Sequence, residues 1–148
     1  MLITKFDVMK QLLVFISLII LSGCKSRTNY SEVVNRLEKQ HQECLDKGED
    51  MLGCSRIFYS QMDSMLNVVY EDLMGRLDKI EKNSLREEEK QWIKQRDIEF
   101  RKITRELRES IDQVGFVPQD NNMMAYDEQA DLVKKRIRQL IDKLEKKQ

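Results

Sequence analysis

The sequence predicts an all-α protein: a small helical bundle or array of about four helices with one disulfide. Three observations carry this. Gly and Pro are scarce, at 5 and 1 of 148 residues, while Lys, Glu, Leu and Arg abound; such a composition favours helix over sheet. Apolar residues recur in steps of three and four through most of the chain, which is the helical period. Once Cys24 is assigned a separate chemistry, Cys44 and Cys54 remain as an even pair.

The first element is a leader. Lys5 and Lys10 precede an apolar run, Leu12 to Leu21, broken only by Ser17, and Leu21-Ser22-Gly23-Cys24 follows. A basic start, a short apolar stretch and small residues at the cut make a secretory signal. A cysteine directly after Ser-Gly makes it a lipoprotein signal, with residues 1–23 removed and Cys24 acylated as the new first residue. The apolar run is about half of the ~20 residues that a bilayer-spanning helix needs. Cleavage leaves residues 24–148, which suits one domain. Without Lys5, Lys10 and Asp7 the charge is 24 basic against 25 acidic residues, so no nucleic-acid footprint follows.

Residues 24–30 form a polar, lipidated tether, and residues 31–148 form a single helical domain. The first helix is expected from Ser31 as N-cap to near Gly48, with Val34, Leu37, His41 and Leu45 on one face. The compartment is oxidising, so Cys44 and Cys54 are expected to bridge. The other reading, a free or metal-binding pair, lacks further Cys or well-placed His. Ten residues of continuous helix would span about 15 Å, whereas bridged Cα atoms lie within about 7 Å. The chain must therefore turn between the two, and Gly48 and Gly53 are placed to allow it.

A second helix is expected from around Cys54, with Phe58, Met62, Met65, Val69, Leu73, Leu77 and Ile80 as one stripe. Lys82-Asn83 breaks that pattern, and Ser84 with Glu87 reads as a capping box opening a third helix over 85–114. Its stripe is Trp92, Arg96, Phe100, Ile103, Leu107, Ile111 and Val114. The run Arg86 to Lys90 reads as a solvated, charged face. Gly115 and Pro118 end the helix, and residues 115–126 are expected to be irregular. A last helix over 127–146 turns Ala130, Val133, Ile137, Leu140 and Leu144 inward. Lys143, Lys146 and Lys147 suit its dipole. Amphipathic helices must bury their stripes on one another, which gives the bundle.

Two constellations stand out besides the cysteines. Leu66-Asn67-x-x-Tyr70 sets an Asn, a mediocre helix former, beside the apolar stripe. In Trp92-x-x-x-Arg96-Asp97 the guanidinium can stack on the indole one turn away, leaving Asp97 to accept a hydrogen bond from a neighbouring helix. Two readings stand: these residues form one interhelical polar network that specifies the core, or they line a groove that meets a partner.

Together these motifs resemble the lysozyme-inhibitor-like family of secreted bacterial proteins, named for the LprI type. The matching residues are Cys44 and Cys54, then Asp63, Leu66, Asn67 and Tyr70, then Gln91 with Trp92, Arg96 and Asp97. They cover about residues 44–100. The chain departs from the family pattern in two places. Phe100 stands where relatives often carry a further Cys, and no Cys follows Cys54. Gly115-Phe116-Val117-Pro118 stands where relatives often show Gly-Gly-Ser. The joint absence of the second pair agrees with a Cys44–Cys54 bridge.

No enzyme chemistry is legible. His41 is the single histidine, in line with Leu37 and Leu45. No phosphate loop, nucleophile elbow or metal-ligand spacing occurs, and nothing calls for a cofactor, a metal or a small-molecule substrate. The resemblance implies a binding module that protects peptidoglycan by occluding a lysozyme, with Glu87, Glu88, Glu89 or Asp120 as an acidic face steering a basic enzyme. The alternative is a structural, assembly or toxin-immunity lipoprotein that binds another envelope protein. Either way the expected setting is the cell envelope, facing the periplasm or cell surface. Lys25, in place of the Asp that retains many lipoproteins at the inner membrane, points to the outer membrane.

Overall fold

Among the described residues four helices follow one another: α1 (Tyr30–Leu45), α2 (Met51–Arg76), α3 (Lys79–Val114) and α4 (Gln119–Glu145). The computed structural model describes residues 28–115 and 119–147, and of 110–114 and 119 the backbone alone. The signal, Cys24, the tether up to residue 27 and the segment 116–118 lie outside the described residues, as do the side chains of Ile111 and Val114. No helix among the described residues is long and apolar enough to cross a membrane.

The helix count and class are as the sequence predicts, but the helix starts shift, each for a local reason. Asn29, not Ser31, caps α1: its side chain accepts from the Glu32 N–H at 3.2 Å. Asp50 caps α2 by accepting from the Gly53 N–H at 2.9 Å, so α2 starts before Cys54. Asp50 folds over Gly53, where an added Cβ would lie 2.0 Å from a carboxylate oxygen. Gly53 is thus helical, and the turn rests on Gly48, at φ +69°. The capping box before α3 exists, but it is Asp78 with Glu81. Glu81 N–H donates to Asp78 Oδ1 at 2.8 Å and Asp78 N–H to Glu81 Oε2 at 3.2 Å. The Ser84/Glu87 pattern falls inside α3. Leu77 is the extended C-cap of α2, and Ile80 is 80% exposed in the first turn of α3. Neither continues the α2 stripe. Residues 119–126, expected to be irregular, form the first two turns of α4.

The core is a three-helix affair. Met62, Val69 and Leu73 of α2 meet Val133, Ile137, Leu140 and Leu144 of α4, with Val34 of α1 closing the third side. The expected inward residues of α4 are all buried. α2 and α4 form the most extensive helix pair. The Cys44–Cys54 disulfide joins the end of α1 to the start of α2 with Cα atoms 5.8 Å apart. At the other end of α1, the Tyr30 hydroxyl donates to Asp72 at 3.0 Å. Lys134 and Arg138 of α4 bind Glu38 of α1 at 2.9 and 3.0 Å.

α3 stands apart. It is the longest of the described helices, at 36 residues, yet among its described side chains Leu85 alone belongs to the core cluster, with Trp92 and Phe100 packed against it. Charge holds it as well. Glu81 pairs with Lys147, Glu88 with Lys143, and Arg136 reaches Glu88 and Glu89 at 2.8 and 2.6 Å. The Arg86 to Lys90 run is therefore a solvated face only in part. Lys143 and Lys147, expected merely to suit the dipole, clamp α3 to α4.

Candidate functional groove

α2 and α3 run antiparallel, with Tyr59 meeting Phe100 edge-on at 6.0 Å between ring centroids. From that contact towards the α2–α3 turn the seam between the two helices stays unfilled. The result is a groove of about 430 Å³. Asp63, Leu66, Asn67 and Tyr70 line it from α2, and Trp92 and Arg96 from α3. Helical spacing explains this: positions 63, 66, 67 and 70 share one face of α2, and 92 and 96 one face of α3. Of the motif residues on α2 and α3, Gln91 and Asp97 lie off the lining, each next in sequence to a residue that lines it.

The Trp92 wall is rigidly held. The Arg96 guanidinium lies 5.5 Å from the indole centroid and the same distance from the Phe100 ring. Arg96 in turn donates to Asp97 Oδ1 through Nε at 3.1 Å and Nη2 at 2.8 Å. The expected stacking of Arg96 on Trp92 is present. The donor to Asp97 is the adjacent residue of the same helix, not a neighbouring one. A second guanidinium, that of Arg136, lies 5.8 Å from the indole centroid. Arg136 is 3% exposed, and its Nε and Nη2 both donate to Glu89 Oε2, at 3.0 and 2.6 Å. A buried cation of this kind is tolerated because it is paired and hydrogen-bonded.

The interhelical polar network that the sequence allowed is not formed by Asn67 and Tyr70. The Asn67 amide donates to the Asp63 carbonyl of its own helix at 3.2 Å. Among the described residues the Tyr70 hydroxyl, the Asp63 carboxylate and the Trp92 indole N–H have no hydrogen-bond partner. Burial, and then the Glu89 carboxylate, push the Tyr70 phenol above its ordinary value. Tyr70 therefore presents a protonated hydroxyl to the groove. Six of the motif residues thus converge on one open seam, where the Asp63 carboxylate, the Tyr70 hydroxyl and the Trp92 N–H are unspent by the fold.

Sequence reasoning missed Arg136 and Glu89, which brace this wall. The signal was present: Arg136 sits on the α4 stripe, three residues after Val133 and four before Leu140, where a charge needs a buried partner. Of the acids expected to form a steering face, Glu88 and Glu89 pair with Lys143 and Arg136, Glu87 pairs with Lys90 at 2.7 Å, and Asp120 lies exposed in the first turn of α4.

His41 marks no catalytic centre. Its ring stacks on Phe58, with centroids 4.3 Å apart and planes 2° apart. Its Nε2 lies 3.4 Å from Ser55 Oγ and 3.3 Å from Asp127 Oδ1. A catalytic triad uses the two ring nitrogens separately, whereas here one nitrogen faces both partners. Ser55 is also fully buried. The cluster ties α1, α2 and α4 together, in keeping with a packed histidine. Among the described residues no group of His, Cys, Asp and Glu is placed to hold a metal ion.

The family profile described as lysozyme inhibitor LprI matches residues 32–140. That span contains both cysteines of the disulfide, all four helices in whole or large part, and every residue of the groove. No curated protein and no solved structure matches the chain. The profile covers well over half of the sequence, and the chain belongs to the LprI family of lysozyme inhibitors.

Proposed function

We propose that this protein is a lipid-anchored lysozyme inhibitor of the cell envelope that meets the enzyme through the α2–α3 groove. The observation that carries the reading is the state of the motif residues. Asp63, Asn67, Tyr70 and Trp92 gather on one groove, and the Asp63 carboxylate, the Tyr70 hydroxyl and the Trp92 N–H have no hydrogen-bond partner among the described residues.

The anchor fits the same picture. Tyr30 binds Asp72 near the α2–α3 turn. A lipid on Cys24 would hold that end of the bundle towards the membrane, since six residues reach at most about 20 Å. The disulfide end would face away from it. The contact is not steered by a free acidic patch, because the acids of α3 are paired with α4 and with Lys90. Inhibition should therefore depend weakly on salt.

The test is lysis of a cell-wall substrate by animal-type, goose-type and invertebrate-type lysozymes, with the oxidised protein titrated in. Stoichiometric inhibition of one class, lost in Asn67→Ala with Tyr70→Phe, is the expected result. A folded, oxidised protein that inhibits none of them would overturn the reading and favour another envelope protein as partner.

A further inference from the structure

The groove has the chemistry of a ligand site as well as that of a protein contact. Asp63 and Glu71 mark its two ends on α2, eight residues apart, or roughly 12 Å of helix. Its volume of about 430 Å³ falls in the range of small-ligand sites. Its charges cancel: three carboxylates, Asp63, Glu71 and Glu89, face three cations, Arg86, Lys90 and Arg96. A balanced wall selects against polyanions and polycations alike.

Between those charges lie neutral hydrogen-bonding groups and a short apolar strip. The Tyr70 hydroxyl and the Trp92 N–H are without partners among the described residues. The Asn67 carbonyl oxygen stays open while its amide N–H₂ bonds the helix. The 38% exposed Ile93 supplies most of the apolar contact, beside the edge of Leu66, a core residue only 5% exposed. The wall is set before any ligand arrives, because Arg96 is tied to Asp97 and Arg136 to Glu89. Such preorganisation lowers the cost of binding.

We propose that the α2–α3 groove binds a neutral, N-acetylated amino-sugar oligomer, the chemistry of a glycan strand. Sugar hydroxyls and the acetamide N–H and C=O need mixed donors and acceptors, which Asn67, Tyr70 and Asp63 provide. Ring C–H faces and the acetyl methyl need a small apolar strip, which Leu66 and Ile93 provide. Guanidinium groups lie over Trp92, so the indole contributes its N–H edge and not a stacking face. The choice of ligand rests on the envelope setting of the inhibitor reading. It means that the groove takes either the strand or the enzyme that cuts it, so that the two compete.

Trp92 is the only tryptophan, so its emission reports on the groove alone. The full oxidised protein is titrated with N-acetylglucosamine tetramer, with a muramyl-containing disaccharide, and with a glucose tetramer that lacks acetamides. Saturable change with half-saturation at or below about 1 mM is expected for an N-acetylated ligand and not for the glucose tetramer. A response to the first ligand alone identifies plain N-acetylglucosamine chains as sufficient. A response to the second alone, which carries a lactyl carboxylate, makes the ligand an anionic one and overturns the proposal. A response to the first supports it. Asn67→Ala and Tyr70→Phe should each weaken binding about fivefold, one hydrogen bond's worth. Neither side chain bonds another helix, so both variants should keep wild-type circular dichroism.

No saturable change with either N-acetylated ligand overturns the proposal, as does an equal response to the glucose tetramer. The two readings fail separately. Inhibition without sugar binding leaves the inhibitor standing, and sugar binding without inhibition leaves the glycan site standing.

Discussion

The two flanks of α2 are built in opposite ways. Towards α4 the seam is dry and filled: Met62, Val69 and Leu73 against Val133, Ile137 and Leu140, all buried. Towards α3 the seam is open and lined with polar side chains, and α3 lends the core little beyond Leu85. Apolar packing on that flank would have closed the groove. Ion pairs from α3 to α4 hold the long helix at a distance and in register without filling the space behind it. Of these pairs Arg136–Glu89 is the buried one, and a buried pair adds little net stability while the loss of either partner is costly. The difference shows how one helix serves as core on one face and as a presenting surface on the next.

The sharpest way to break the comparison is Arg136→Ala. It leaves Glu89, with a side chain only 13% exposed, without its cation, and removing one partner of a buried pair costs about 3–5 kcal/mol. Urea unfolding should show that loss, and Trp92 emission should shift because its neighbouring guanidinium is gone. Leu140→Ala tests the dry seam. It should cost about 3 kcal/mol while leaving Trp92 emission in the folded state unchanged. Reduction of the Cys44–Cys54 bridge, which closes a loop of separation 10, should cost about 2.5 kcal/mol in the chain-entropy account. It loosens α1, leaving the α2–α3 groove residues in place. Asn67→Ala should change stability by less than about 0.5 kcal/mol and inhibition by about tenfold. A loss of stability of the size seen for Leu140→Ala would make Asn67 a scaffold residue and close the contrast between the flanks.

Much of this arrangement is legible in the residues. The stripe of α4 and the first five positions of the α2 stripe are strict in spacing and rich in apolar residues, and all are buried. The disulfide follows from cysteine number and compartment. The motif residues were readable as a group, but their state was not, because a spacing says which face a side chain shares and not whether another helix fills the space before it. The helix starts were misread where two capping signals compete. Asp78/Glu81 and Ser84/Glu87 both satisfy the pattern, and only the chain direction after Arg76 decides between them. The role of α3 was the least readable. Its charges look like those of any solvated helix until Arg136, Lys143 and Lys147 of α4 are set opposite them, a long-range pairing that local periodicity cannot encode.

The smallest expected effect is also specific to the open flank. Burial pushes the Glu88 carboxyl up, but hydrogen bonds from Lys143 and Arg136 outweigh it, and the net result is a value below the ordinary 4.5. A carboxyl held lower in the folded than in the unfolded chain adds stability above its unfolded value. That stability is lost as pH falls through the folded value. The clamp of α3 on α4 should therefore weaken below about pH 4, while the apolar contacts of Met62, Val69 and Leu73 with Val133, Ile137 and Leu140 carry no charge to titrate. Glu81, bonded by Lys147, is lowered in the same direction, although its full exposure leaves that pair screened. Glu88→Gln should be slightly less stable than the wild type at pH 6. The two should converge towards pH 3, because the wild type alone loses the ionised partner of Lys143. Amide exchange followed across that range should quicken in α3 before it quickens in α2 or α4. Equal slopes for wild type and variant, or exchange that quickens in all helices together, would mean that α3 is held by Leu85, Trp92 and Phe100 and not by its charges.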